Sequence, residues 1–177
     1  MGLDVSAYSK VTKVDCLFDE DGEPVDPSTR EAIKGDWFQA YVNPHFPGRA
    51  DGIDDRSVYT YKDSDGMRAG GYAGYNRWRD DLAKIAGWPK GQYEHYGKMG
   101  DSYCVSCWNG ETGPFSELIN FSDAEGVIGT ATAQKLAKDF ATFQAAADAE
   151  GGYFAEKYAE WRHLFELASD GGCVRFH

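Results

Sequence analysis

Leu3, Val5 and Ala7 alternate with Asp4, Ser6 and Tyr8, the two-residue period of a strand that buries one face. Residues 37–42 and 58–61 are further strand candidates, separated by a proline- and glycine-rich stretch at 43–52. Asp63-Ser64-Asp65-Gly66 reads as a turn. Beyond it the period changes. Trp78, Leu82 and Ile85 share one face of a helix over about residues 76–86, with Gly87 as its stop. A second helix begins near Thr130 and turns Ala133, Leu136, Ala137, Phe140 and Phe143 inward. A third, over residues 153–168, sets Phe154, Tyr158, Trp161 and Phe165 in a stripe and stops at Gly171-Gly172. Between the first two helices lie a strand candidate at 103–108 and an apolar run at 115–121, and residues 173–176 read as a closing strand. No repeat or low-complexity tract interrupts the pattern. It predicts an α+β fold: one domain over residues 1–177, with a mainly antiparallel sheet and three principal helices.

Composition adds limits. A chain of 177 residues that is 42% hydrophobic and 15% aromatic can bury a core without disulfide or metal staples. The net charge of −11 leaves no surplus of Lys and Arg to displace counterions, which argues against direct nucleic-acid binding. The same acidity serves either solubility or an electronegative surface that mimics DNA toward a basic partner. No charged-then-apolar leader and no apolar run of spanning length stands in the sequence, so the expectation is a cytoplasmic protein without a membrane segment. The opening Met1-Gly2 fits the loose myristoylation pattern, but Leu3 to Ala7 reads better as a strand. Asn120-Phe121-Ser122 is a formal glycosylation sequon, of consequence only on secretion. Asp19 to Pro24 is an acidic turn rather than a calcium loop, because Arg30 stands where such a loop needs its bidentate Glu.

Cys104 and Cys107 have metal-ligand spacing, and Cys173 with His177 could complete a zinc site. Geometry works against it. Residues three apart on a strand point to opposite faces, and residues four apart lie ~13 Å from each other. The expectation is buried thiols and no metal or other cofactor. No catalytic signature is present, and no catalytic residue is assigned.

The most informative stretch is Gly70-Gly71-Tyr72-Ala73-Gly74-Tyr75-Asn76-Arg77-Trp78-Arg79. If Asn76 caps the helix, Arg77 and Arg79 fall in its first turn, where the dipole disfavours cations unless an anion is near. Glycines let backbone approach a ligand, and glycine-rich entries to helices often hold phosphate. The candidate ligand site is therefore Gly71, Tyr72, Gly74, Tyr75, Asn76, Arg77 and Arg79, with the tyrosines placed to stack on a base or bond a sugar. The structural alternative stays open: Asp80 and Asp81 follow at once, the glycines could serve only the turn, and the tyrosines could be core. A second polar entry, from Asn120 to Gly129, adds Asn120, Ser122 and Asp123 as candidates, or as caps of a short helical turn.

The segments MGLDVSAYSK, GYNRWRDDLAKIAG, PFSELINFSDAEGVIG and DGGCVRFH resemble a group of uncharacterised phage and prophage accessory proteins, over most of the chain. The resemblance implies a setting, an intracellular protein acting against a bacterial host's defences, and carries over no site residues. Three functions follow as expectations. The first is sequestration of a small anionic, nucleotide-like ligand. The second is inhibition of a host protein through an acidic face, DNA mimicry included. The third is a nucleotide-processing enzyme with Asp123 or Glu125 as general base.

Overall fold

The computed structural model describes residues 2–121 and 125–177. In chain order, β1 (Gly2–Ser9) is followed by β2 (Thr12–Val14), β3 (Leu17–Phe18), β4 (Pro24–Val25), β5 (Trp37–Gln39), β6 (Val58–Thr60) and β7 (Asp63–Gly71). Helix α1 (Tyr72–Ile85) leads to the hairpin β8 (Gly91–His95) and β9 (Lys98–Ser102), then to the one-turn helices α2 (Val105–Trp108) and α3 (Ser116–Ile119). Strand β10 (Gly126–Ile128), the long helices α4 (Thr130–Glu150) and α5 (Gly152–Ala168), and β11 (Cys173–Phe176) complete it. This is the α+β fold that the patterning predicts, and the strand pairs of its sheets are antiparallel.

The main sheet has the order β10-β11-β1-β7, and a second sheet has the order β2-β6-β5. On the central strand β1, Leu3, Val5 and Ala7 face the helices and join Val174, Phe176 and Ile128 in the larger core. Tyr8 points the other way, into a smaller core with Phe38, Tyr59, Val127 and Cys173. There its ring stacks on Phe38 at 4.2 Å between centroids. In the larger core Trp161 is the hub, with Tyr75, Trp78, Phe165 and Phe176 at 5.6–5.9 Å. Each such pair adds ~0.5–1.5 kcal/mol beyond the area it buries. The stripe predicted from Tyr158, Trp161 and Phe165 is therefore core.

Three local expectations are corrected. Helix α1 begins at Tyr72, not near Asn76. Residues 63–66 are not a turn but the first part of β7, paired with Ser9 to Ser6 of β1. Strand β7 is an edge strand held by its backbone ladder, so its polar side chains face water without penalty and its sequence shows no apolar alternation. Residues 103–108 form no strand; Val105 to Trp108 are a helical turn. The β8–β9 hairpin carries no apolar alternation either, and the sequence pattern does not announce it.

Helix α4 borrows its cap. Gly129 at its N-cap has no side chain, and Asp51 supplies one from another part of the chain. The Asp51 carboxylate accepts from the Ala131 and Thr132 amides at 2.5 and 3.1 Å and from Thr132 Oγ1 at 2.7 Å. A Cβ at residue 129 would lie 2.0 Å from the Asp51 carbonyl oxygen, so the glycine is what lets the two segments meet. Among the described residues no helix is long and apolar enough to cross a membrane. The cap yields a prediction: Asp51→Ala should lower stability by ~1–2 kcal/mol while Asp51→Asn keeps most of it, measured by chemical denaturation. Equal midpoints for wild type and Asp51→Ala would show that the cap is idle.

Candidate functional site

Next to the end of β7 stands Gly70 at φ +98°, a left-handed conformation that favours glycine, and Gly71, the strand's last residue, is the extended N-cap of α1. Among the described residues no side chain caps this helix, and no acidic residue lies in its first turn. Because the helix starts at Tyr72, Arg77 and Arg79 sit in its second turn. The dipole argument for an anion beside them lapses, and they must be judged on their own surroundings.

Those surroundings differ. Arg77 is exposed. Arg79 is only 5% exposed. Its Nη1 donates to the Ile119 carbonyl at 2.9 Å and its Nη2 to Asn76 Oδ1. The guanidinium stands 4.7 Å from the centre of the Tyr75 ring, a cation–π contact. Among the described residues its Nε has no hydrogen-bond partner and no carboxylate forms an ion pair with it. A buried cation is costly unless its charge is met, and among the described residues two neutral oxygens and one ring contact it.

Arg79 opens onto a cleft of about 470 Å³ between α1 and the β8–β9 hairpin. Helix α1 contributes Asn76, Arg77, Arg79 and Asp80, and the hairpin contributes Tyr93, His95, Asp101 and Ser102. Cys104 and Trp108, before and within α2, close the far end. Asp80 fastens the two sides: its Oδ1 accepts from Ser102 Oγ at 2.5 Å and from the Tyr103 amide at 2.7 Å. Asp80 is held by those two donors and makes no ion pair with Arg79, although both line the cleft. Asp101 is paired with Lys90 at 3.1 Å. The Tyr93 ring lies across Gly100, where an added Cβ would come within 3.0 Å of it, and it meets the Trp108 ring edge-on at 5.3 Å.

The residues expected from sequence divide accordingly. Asn76, Arg77 and Arg79 line the cleft. Gly71, Tyr72 and Gly74 are exposed on the first turn of α1, outside it. Tyr75 is fully buried, with its ring against Trp78 and Trp161. Asn120 is the half-buried C-cap of α3, one residue beyond the carbonyl that Arg79 holds. Ser122 and Asp123 lie outside the described residues. Glu125 lines a different, smaller cleft with Arg175 and His177. The hairpin side, Tyr93, His95 and Asp101, was missed by sequence reasoning. Its one sequence signal is Tyr93 and His95 spaced two apart before Tyr96-Gly97.

The cysteines lie in two places. Cys104 at the N-cap of α2 and Cys107 within it lie in the larger core, and Cys173 lies in the smaller core. Among the described residues no group of three or more His, Cys, Asp or Glu could hold a metal ion. Burial pushes the Cys104 thiol up to about 11 and those of Cys107 and Cys173 up to about 12, so all three are protonated near neutrality and poor nucleophiles.

Comparison with known protein families, curated proteins and solved structures finds no match to this chain.

Two outcomes follow from this geometry. Arg79→Gln should destabilise the fold by ~1–3 kcal/mol, because the Ile119 carbonyl and Asn76 lose their donor, while Arg77→Gln should change stability by no more than ~0.5 kcal/mol. Thermal or urea unfolding of the two variants checks this. In a thiol-reagent assay at pH 8, the half-buried Cys16 should be the one cysteine to react in the native protein, with Cys104, Cys107 and Cys173 reacting only after denaturation.

Proposed function

We propose that the protein is a non-enzymatic binding protein that holds a small anionic, nucleotide-like ligand in the cleft between α1 and the hairpin. One observation carries the reading. Arg79 is a buried guanidinium with an unpartnered Nε and no carboxylate counter-ion among the described residues, and it faces a cleft that the exposed Arg77 also lines. In a chain of net charge −11, two neighbouring arginines that make no ion pair among the described residues suit an anion from outside the protein. Charge-assisted bonds from guanidinium to phosphate or carboxylate are among the stronger polar contacts, and they strengthen where water is partly excluded.

The resemblance to phage accessory proteins supplies the setting for this proposal. A cytoplasmic protein of that kind would withdraw a nucleotide-like signal from the host and release it unchanged when denatured.

The test is binding of inorganic phosphate and of nucleotides by wild type and Arg77 variants, read as a shift in melting temperature and by calorimetry. Wild type should be stabilised. Arg77→Gln should bind ~10-fold more weakly or worse with its own stability intact. Arg77→Lys should recover only part, because it lacks the planar fork. If no anion shifts the wild-type melting point, or if Arg77→Gln binds as tightly as wild type, the proposal fails.

A further inference from the structure

Arg79 and Arg77 account for one side of the cleft. The other side has a separate chemistry. Trp108 is 43% exposed, in a protein whose Trp78 and Trp161 are buried, and it stands at the cleft's far end beside Tyr93. The two rings meet at 81°, so they form a corner: one offers a face and the other bounds it with an edge. The corner is built. Tyr93 packs against Gly100, where a Cβ would come to 3.0 Å from its ring, and Gly91 leaves room for Val105 of α2 at the place where a Cβ would come within 2.8 Å of it. The hairpin and α2 are thereby held so that the Tyr93–Trp108 corner faces the arginines across the cleft.

We infer that this corner is the base-binding half of the site, and that the ligand class is a single free nucleotide, its base against Trp108 and Tyr93 and its phosphate on Arg77 and Arg79. The inference rests on the anion-binding reading above and adds to it the nature of the uncharged part. Charge fixes the direction. The arginines of the cleft lie on α1, whereas its hairpin side, Tyr93, His95, Asp101 and Ser102, offers no Arg or Lys to a phosphate. Size fixes the number. At about 470 Å³ the cleft falls toward the small end of ligand pockets, which run from ~300 to ~1,000 Å³, and it holds one nucleotide rather than two. A purine offers a ring corner more stacking surface than a pyrimidine, so adenosine monophosphate should bind more tightly than cytidine monophosphate. His95 also lines this side.

The experiment titrates wild type, Trp108→Ala, Trp108→Phe and Tyr93→Ala with inorganic phosphate, adenosine monophosphate, cytidine monophosphate and a cyclic dinucleotide, by calorimetry. Folding of each variant is checked by its melting curve. Wild type should bind adenosine monophosphate at least tenfold more tightly than phosphate. Trp108→Ala should weaken that binding about tenfold while leaving phosphate binding unchanged, as expected for loss of one base–aromatic stack. Trp108→Phe should keep most of it, and Tyr93→Ala tests the same corner should Trp108→Ala fold poorly. Phosphate binding without any gain from the nucleoside, or unchanged nucleotide affinity in both ring variants, overturns this inference and leaves the anion reading standing. A cyclic dinucleotide that binds as tightly as the mononucleotide overturns the size argument. Failure of phosphate and nucleotides alike removes the anion reading with it.

Discussion

Strand β1 is paired along both edges and packed on both faces, and the rest of the molecule is arranged around that constraint. Its edges are taken by β7 and β11. Its helix-facing side chains, Leu3, Val5 and Ala7, leave a floor of modest height, over which the large rings of α5 and α1 can lie. Its other face gives Tyr8 to the stack with Phe38. Where β11 approaches the end of β1, a Cβ on Gly172 would stand 1.7 Å from the Tyr8 carbonyl oxygen, so only glycine permits the chain to pass. With β1 enclosed, the positions of β7, and therefore of α1 directly after it, are set by the sheet register. The cleft is thus anchored to the most enclosed part of the fold.

Helix α1 carries two duties on opposite sides. Tyr75, Trp78 and Leu82 point into the aromatic core around Trp161, while Arg79 turns toward α3 and the cleft. Burial of that guanidinium would be a liability in a purely structural helix, since a neutral side chain of similar reach could hold the Ile119 carbonyl without desolvating a charge. The cation–π contact with Tyr75 and the bond to Asn76 hold the head group in one orientation. A charge held rigidly beside a cleft has little ordering entropy left to lose on binding.

Much of the fold was legible in the sequence, and the misses share a cause. Helices α4 and α5 declare themselves because each buries a continuous apolar stripe over several turns. Strand β1 does so because one face is uniformly apolar. Strand β7 and the β8–β9 hairpin are held by backbone ladders and turns instead, which composition barely marks. The hairpin reverses through Tyr96 at φ +48° and Gly97 at φ +73°, a Tyr-Gly pair in place of the usual Asn-Gly signal. The start of α1 was misplaced because Tyr72, Ala73 and Gly74 follow two glycines and resemble a loop, while Asn76 looks like a cap. In fact Asn76 is a helical residue whose side chain serves Arg79. Legibility of the candidate site follows the same line. Asn76, Arg77 and Arg79 stand out as charges and amides out of place on a helix, whereas Tyr93 and Trp108 acquire meaning only once the hairpin folds against α1.

The pairing of Val5 with Phe176 and of Tyr8 with Cys173 joins segments from opposite ends of the sequence read here. During synthesis, β1 leaves the ribosome early and β11 late, so one edge of β1 stays open while everything between them is made. Contacts of such separation carry a large loop-closure cost and slow folding. Strand β7 can pair early with the other edge of β1, but the long helices α4 and α5 cannot close the larger core until Val174 and Phe176 arrive. An exposed edge next to Leu3, Val5 and Ala7 is a template for pairing with other chains. The interval in which β1 waits for β11 is therefore the stage at which pairing with other chains competes with folding.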